Sequence, residues 1–222
     1  MIRTVFLLSL LLRYRIFVIP LQTNYPLRHP LLFLIVSLST VLSAQETVDY
    51  SPLADRLAQY ARLTMSWEVD SLLDLTDPQL FEIVPREAVR NQLARLTSDE
   101  DLNVKFGEFT IDEIGEIVTY QSDSYSPIKC HQKIVFTLLS EKYKAPEFRQ
   151  RMLRMLQKSH GSRNVRYNEK EQTISVVAVK SLFAIRRGKN ATWHFVEYRP
   201  ENAGLLDLLL PPAVRAIVGL ER

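Results

Sequence analysis

The chain has 222 residues, 46% of them hydrophobic, one cysteine and a formal charge of +3. That charge misrepresents the part that folds: residues 1–44 hold Arg3, Arg13, Arg15 and Arg28 and no acidic residue, which leaves 24 basic side chains against 25 acidic ones in the remainder. With no basic excess there, a nucleic-acid partner is not expected, and the single Cys130 excludes an internal disulfide and any multi-cysteine metal site.

The first 44 residues read as a leader. Residues 30–44, PLLFLIVSLSTVLSA, follow Arg28 and His29 with a compact apolar run that ends in small residues, the layout of a secretory signal peptide. Cleavage is expected after Ala44, with Ser43 as the alternative, so the mature protein is expected to be exported to the periplasm or beyond. Residues 1–29 carry a second apolar run broken by Arg13 and Arg15, and each arginine at mid-span costs about 2.5–3.5 kcal/mol. These residues are taken as an extended leader or a mis-assigned start, with no stable membrane span after cleavage. The alternative is an uncleaved N-terminus that anchors the protein in the membrane.

Residues 45–222 have the length of one domain. Ser51-Pro52 marks a helix start, since proline at the first helical position forfeits no hydrogen bond. Leu53, Leu57, Tyr60, Leu63, Trp67, Leu72 and Leu75 keep near-helical spacing, which predicts one long amphipathic helix over 51–76. Asp77-Pro78 restarts the chain with Asp77 as a helix cap, a short helical turn follows over 78–83, and a third helix over 85–96 carries Ala88, Val89, Leu93 and Leu96 as its apolar stripe.

From Leu102 the period switches towards two. Gly107 and Gly115 suggest bends in the first strand region, residues 121–127 read as a turn, and 128–139 as a strand. In that strand Ile128, Cys130, Gln132, Ile134, Phe136 and Leu138 share the face expected to meet the core, while Lys129, His131, Lys133, Val135, Thr137 and Leu139 share the other. A basic helix is predicted over 146–159, with Phe148, Met152, Leu153, Met155 and Leu156 inward and Arg149, Arg151, Arg154 and Lys158 solvated. Gly161 should end it with a left-handed cap. A short strand over 164–167 and a polar turn lead to residues 172–200, a β-branched run, a polar tip at 186–190 and an aromatic run that together predict a hairpin. Alternation sets Trp193 and Phe195 inward and His194 outward. The sequon Asn190-Ala191-Thr192 lies at the tip and is expected to be unmodified. A helical tail over 203–220, broken at Pro211-Pro212, closes the chain.

The predicted class is α+β: a long N-terminal helix and two short ones packed on a curved antiparallel sheet, with an inserted helical segment at about 142–171. This order, together with LLDLTDPQLFEIVPREAVRNQL and SLFAIRRGKNATWHFVEYRP, resembles the nuclear transport factor 2-like superfamily, in particular exported bacterial members. The resemblance implies a cone-shaped cavity between the sheet and the first helix. In enzymes of that superfamily the cavity holds an aspartate with a histidine or tyrosine. Here the candidate acid–base groups are Asp70 and His131, with Asp74, His194 and the donors Tyr60 and Tyr120 as further possibilities. Tyr60, Trp67, Phe136, Trp193 and Phe195 are the candidate pocket walls.

No phosphate loop, metal-binding histidine pair or nucleophile elbow is present, and no metal or cofactor is expected. The expected role is therefore a non-catalytic domain that binds a small apolar ligand or a protein partner. The alternatives are an isomerase, dehydratase or hydrolase working through a pocket Asp or His, and an assembly module that forms a homodimer through the sheet face.

Overall fold

The computed structural model of the protein describes residues 49–199 and 203–217; the expectations about the leader fall outside them. The fold is α+β, with a six-stranded open sheet whose strands all pair antiparallel. Its frame is the pairing of β3 (Asp123–Leu138) with β5 (Thr173–Arg186), in register from Ser124↔Arg186 to Thr137↔Thr173. β1 (Leu102–Ile114) and the short β2 (Val118–Tyr120) share the free edge of β3, and β4 (Val165–Asn168) and β6 (His194–Tyr198) share that of β5.

The strand alternation is as expected. Ile128, Cys130, Gln132 and Leu138 are buried on one face of β3, whereas Lys129 and Lys133 on the other are exposed. The predicted hairpin forms from β5 and β6, with Trp193 and Phe195 only 3% and 2% exposed and His194 half-buried. The turn predicted over 121–127 is shorter than expected, because residues from Asp123 onward already belong to β3. Pro127 fits there because β1 and β2 are interrupted opposite it, so its missing N–H costs no ladder hydrogen bond.

The helix expected over 51–76 is two helices, α1 (Ser51–Ser66) and α2 (Val69–Asp74). Trp67 stands between them in the left-handed conformation, φ 55° and ψ 42°, and its N–H and that of Glu68 both bond to the Leu63 carbonyl. A bulky residue in this region costs about 1–2 kcal/mol. Here the strained backbone lays the indole flat on Phe106, with ring centroids 3.7 Å apart and planes 10° off parallel. Hydrophobic spacing carries on through the break, so spacing alone could not reveal it.

Short α3 (Leu80–Ile83) and α4 (Arg86–Arg95) follow. The stripe assigned to α4 is not buried; the helix is tied to α2 by Arg86–Asp74 at 2.7 Å and Arg90–Asp70 at 2.9 Å. After β3 come α5 (Glu141–Lys144) and α6 (Pro146–His160), which buries Met152 and Leu156 but leaves Met155 59% exposed. Gly161 ends α6 with φ +85° and an extended ψ of 142°, a glycine conformation different from the expected left-handed cap.

Three apolar clusters show how the sheet is covered. On the inward face, α1 and α2 lie over Ile128, Cys130, Leu182, Ala184 and Phe195, and α6 lies over Ile134, Phe136, Leu138, Ile174 and Val176. The tail, α7 (Ala203–Leu209) and α8 (Pro212–Ile217), packs on the reverse face against Tyr125, Phe183, Ile185 and Val196. It therefore lies away from the inward face. The middle of the reverse face is open, with Val179 67% exposed.

Candidate functional site

Sheet register places the polar side chains. Between the cluster under α1, which takes Cys130, and the cluster under α6, which takes Ile134, stands Gln132, fully buried on the inward face of β3. Its sheet neighbours are Phe109 and Ala178. Neither its amide nitrogen nor its amide oxygen has a hydrogen-bond partner, and the same is true of the buried Trp67 Nε1. Between Phe106 and Phe109 the register of β1 slips, the mark of a bulge, and this is where Trp67 lies against the strand.

The same face carries two more polar groups, and Tyr60 of α1 packs over it. Lys180 is opposite Cys130 and Glu197 is opposite Leu182, so both share the side of the sheet covered by α1. They pair with each other at 3.5 Å, and Glu197 also accepts hydrogen bonds from Arg199 at 2.8 and 2.9 Å. Burial pushes the Glu197 pKa up, but Lys180 and Arg199 outweigh it and hold the carboxyl below its ordinary range. Tyr60 packs its ring on Phe109 and Phe195, with centroids 5.9 and 5.1 Å away, and burial, reinforced by Glu197 and Cys130, raises the pKa of its phenol.

Of the five pocket walls expected, Tyr60, Trp67, Trp193 and Phe195 meet in one cluster under α1, while Phe136 belongs to the cluster under α6. Trp193 and Phe195 are core packing. The two candidate bases lie apart, each with its own polar partner. Asp70 is exposed on α2 and paired with Arg90, and His131 is on the reverse face, 2.8 Å from Asp112. Asp74 is held by Arg86, and His194 lies on the side of Ile185, where burial, with Arg56 nearby, lowers its pKa. Tyr120 is exposed in β2. Sequence reasoning put Gln132 on the inward face without singling it out, and Lys180 and Glu197 were missed altogether. The available signal was a polar residue at an inward position of an otherwise apolar strand.

Cys130 is fully buried, its thiol 3.6 Å from the Lys180 carbonyl, and burial pushes its pKa up to about 12. It should therefore resist maleimide or disulfide reagents in the native protein and react only on global unfolding. Labelling followed across a denaturant titration checks this; labelling of the native protein at the rate of a free thiol would contradict it.

A concavity of about 360 Å³ opens on the reverse side between the tail and the β2–β3 turn, lined among others by Tyr120, Asp123, Arg187 and Asp207. Its charged groups serve the fold: Arg187 is paired with Asp77 and Asp123, and Asp207 with Arg215. Among the described residues no cluster of His, Cys, Asp or Glu is arranged to hold a metal ion, and no helix is long and apolar enough to cross a membrane.

No family model matches the chain, and no curated protein does. Among solved structures, the intermembrane space region of the chloroplast protein ARC6 is similar over 68% of this chain and 94% of that one, at 8% identity and a TM-score of 0.38. A likeness at that level carries no inference about function.

Proposed function

We propose that this protein is an exported, non-catalytic binding domain of the nuclear transport factor 2-like type, which takes a small, mainly apolar molecule on the inward face of its sheet. The observation that carries the proposal is Gln132. An amide offers two donors and an acceptor, and leaving such a group buried and unpaired costs about 1–3 kcal/mol. A side chain of this kind in the middle of an apolar sheet face is unfavourable for folding alone and useful for holding a guest. The non-catalytic part is supported by the placement of the two candidate bases, since Asp70 is ion-paired with Arg90 on α2, His131 makes a hydrogen bond with Asp112 on the reverse face, and neither shares the inward face with Gln132. The export part rests on the apolar run at 30–44.

The test is Gln132→Leu. Leucine fills similar space without an unpaired amide, so the variant should be more stable than the parent by about 1–3 kcal/mol in urea unfolding. It should also lose small molecules that the parent retains in native mass spectrometry or releases on organic extraction. A loss of stability, together with an unchanged extract, would sink the proposal, because Gln132 would then be serving the fold.

A further inference from the structure

The pairings that serve the fold in the concavity beside the tail do not balance. Arg187 is one guanidinium facing two carboxylates, the fully buried Asp77 at 2.6 Å and Asp123 at 3.6 Å, while Asp207 is answered by Arg215. Three carboxylates against two guanidinium groups leave one negative charge, and it falls to Asp123, whose side chain is 24% exposed and lines the space. Asp123 Oδ1 accepts from the Gly188 N–H at 2.9 Å and from the Ser122 hydroxyl at 3.2 Å; among the described residues Oδ2 accepts only from the Tyr125 hydroxyl, at 3.3 Å, because Arg187 Nη1 stands beyond hydrogen-bond reach. A carboxylate oxygen takes about two hydrogen bonds, so Oδ2 keeps one position open. The tail supplies a second acceptor. Pro211 and Pro212 follow α7, and these are the residues whose N–H groups would have bonded the Leu208 carbonyl. The next carbonyl, that of Leu209, accepts from Arg187 Nη2 at 3.3 Å, so a cationic N–H donor is already what this helix end takes.

We propose that this concavity, on the other side of the sheet from the inward face and independent of any guest there, is a site for a small organic cation: a primary ammonium group on a compact apolar body. Asp123 and Leu208 both line the one space, whose volume of about 360 Å³ is within the range of small-molecule sites. The ammonium group has three donors and no acceptor, which suits Asp123 Oδ2 and the Leu208 carbonyl, and its charge cancels the surplus one. Pro211, Pro212, the Leu208 side chain and the exposed ring of Tyr120 line the same space and receive the apolar body. A carboxylate would instead face Asp123 and Asp207, and the one cation lining the space, Arg187, is already shared between two acids. A neutral hydroxyl could donate a hydrogen bond but would leave the surplus charge in place.

Four probes on one body test this with the full-length protein: benzylammonium, benzyltrimethylammonium, benzyl alcohol and benzoate. Affinity is read by calorimetry, and the site by the amide NMR shift of Gly188, whose N–H is bonded to Asp123. Benzylammonium should shift Gly188 and bind at least about tenfold more tightly than benzyl alcohol or benzoate, the discrimination expected of one charge-assisted hydrogen bond. Benzyltrimethylammonium, with the same charge and no N–H, should bind more weakly than benzylammonium. Asp123→Asn removes the charge and keeps an acceptor for Gly188, so it should erase the preference for benzylammonium over benzyl alcohol. Raising the salt concentration gives the same comparison without a variant: benzylammonium should weaken and benzyl alcohol should not. Benzoate or benzyl alcohol binding as tightly as benzylammonium overturns the cation assignment, as does a preference that survives both Asp123→Asn and high salt. Equal binding of the trimethylated probe overturns the primary-ammonium assignment, and a Gly188 amide that no probe shifts overturns the site.

Discussion

Arg187→Ala should destabilise the domain by about 3–5 kcal/mol, the scale expected when one partner of a buried ion pair is removed. Asp77 is fully buried, and its carboxylate accepts from Arg187 Nη2 at 2.6 Å and from Nε at 3.3 Å. Without the guanidinium, an anion stays in the interior with, among the described residues, only the Gln79 N–H, at 3.3 Å, to answer it. The same guanidinium reaches Asp123 at 3.6 Å and donates to the Leu209 carbonyl at 3.3 Å, so it also ties the β2–β3 turn and the tail to the start of α3. Asp77→Ala should cost a similar amount, for the opposite reason. Asp77→Leu combined with Arg187→Met should recover most of the loss, because a well-packed apolar pair removes both desolvation penalties. Urea unfolding of the four proteins gives each cost, and the double variant Asp77→Ala with Arg187→Ala closes the cycle that yields the coupling energy. Single variants that cost less than about 1 kcal/mol, as exposed pairs do, would show that the pair is solvated and merely local.

Phe195→Ala should cost about 3–5 kcal/mol, the range for truncating a buried aromatic to alanine. The ring is 2% exposed and lies against Tyr60, and its backbone fastens β6 to the end of α2: the Phe195 N–H donates to the Leu75 carbonyl at 2.7 Å, and its carbonyl accepts from the Asp77 N–H at 3.2 Å. Truncation therefore opens a hole at the point where α1, α2 and β6 meet. Phe195→Leu should cost clearly less, since most of the volume is kept. The measurement also separates two roles for this residue. The sequence suggested Phe195 as a pocket wall, and a wall facing a ligand space loses few packing partners when cut back. A cost below about 1.5 kcal/mol would restore that role and contradict its place in the core.

Much of the architecture was legible because it depends on short-range periodicity. A period of two showed the inward face of β3, the antiparallel hairpin of β5 and β6, and the inward choice of Trp193 and Phe195 over His194. A period near 3.6 showed α6 and the start of α1. What failed was legible only through distant contacts. The break at Trp67 follows a continuous apolar stripe, and what offsets the left-handed backbone is the ring of Phe106 on another element. The stripe of α4 looked like a core face, yet its place is set by Arg86 and Arg90 reaching Asp74 and Asp70. Those same pairs hold Asp70 at the exposed junction of α2 and α4.

The sequence by itself determined the α+β class, the two faces of the long strands and the aromatic residues that bury most area, because alternation and apolar area are local properties of the chain. Tertiary structure alone decided that Asp77 meets Arg187 across 110 positions, that Lys180 meets Glu197, and that Gln132 is enclosed with no partner. The physical reason is that a polar group's energy depends on what answers it in space. A hydrophobic pattern records which face turns inward and carries no information about the partner found there.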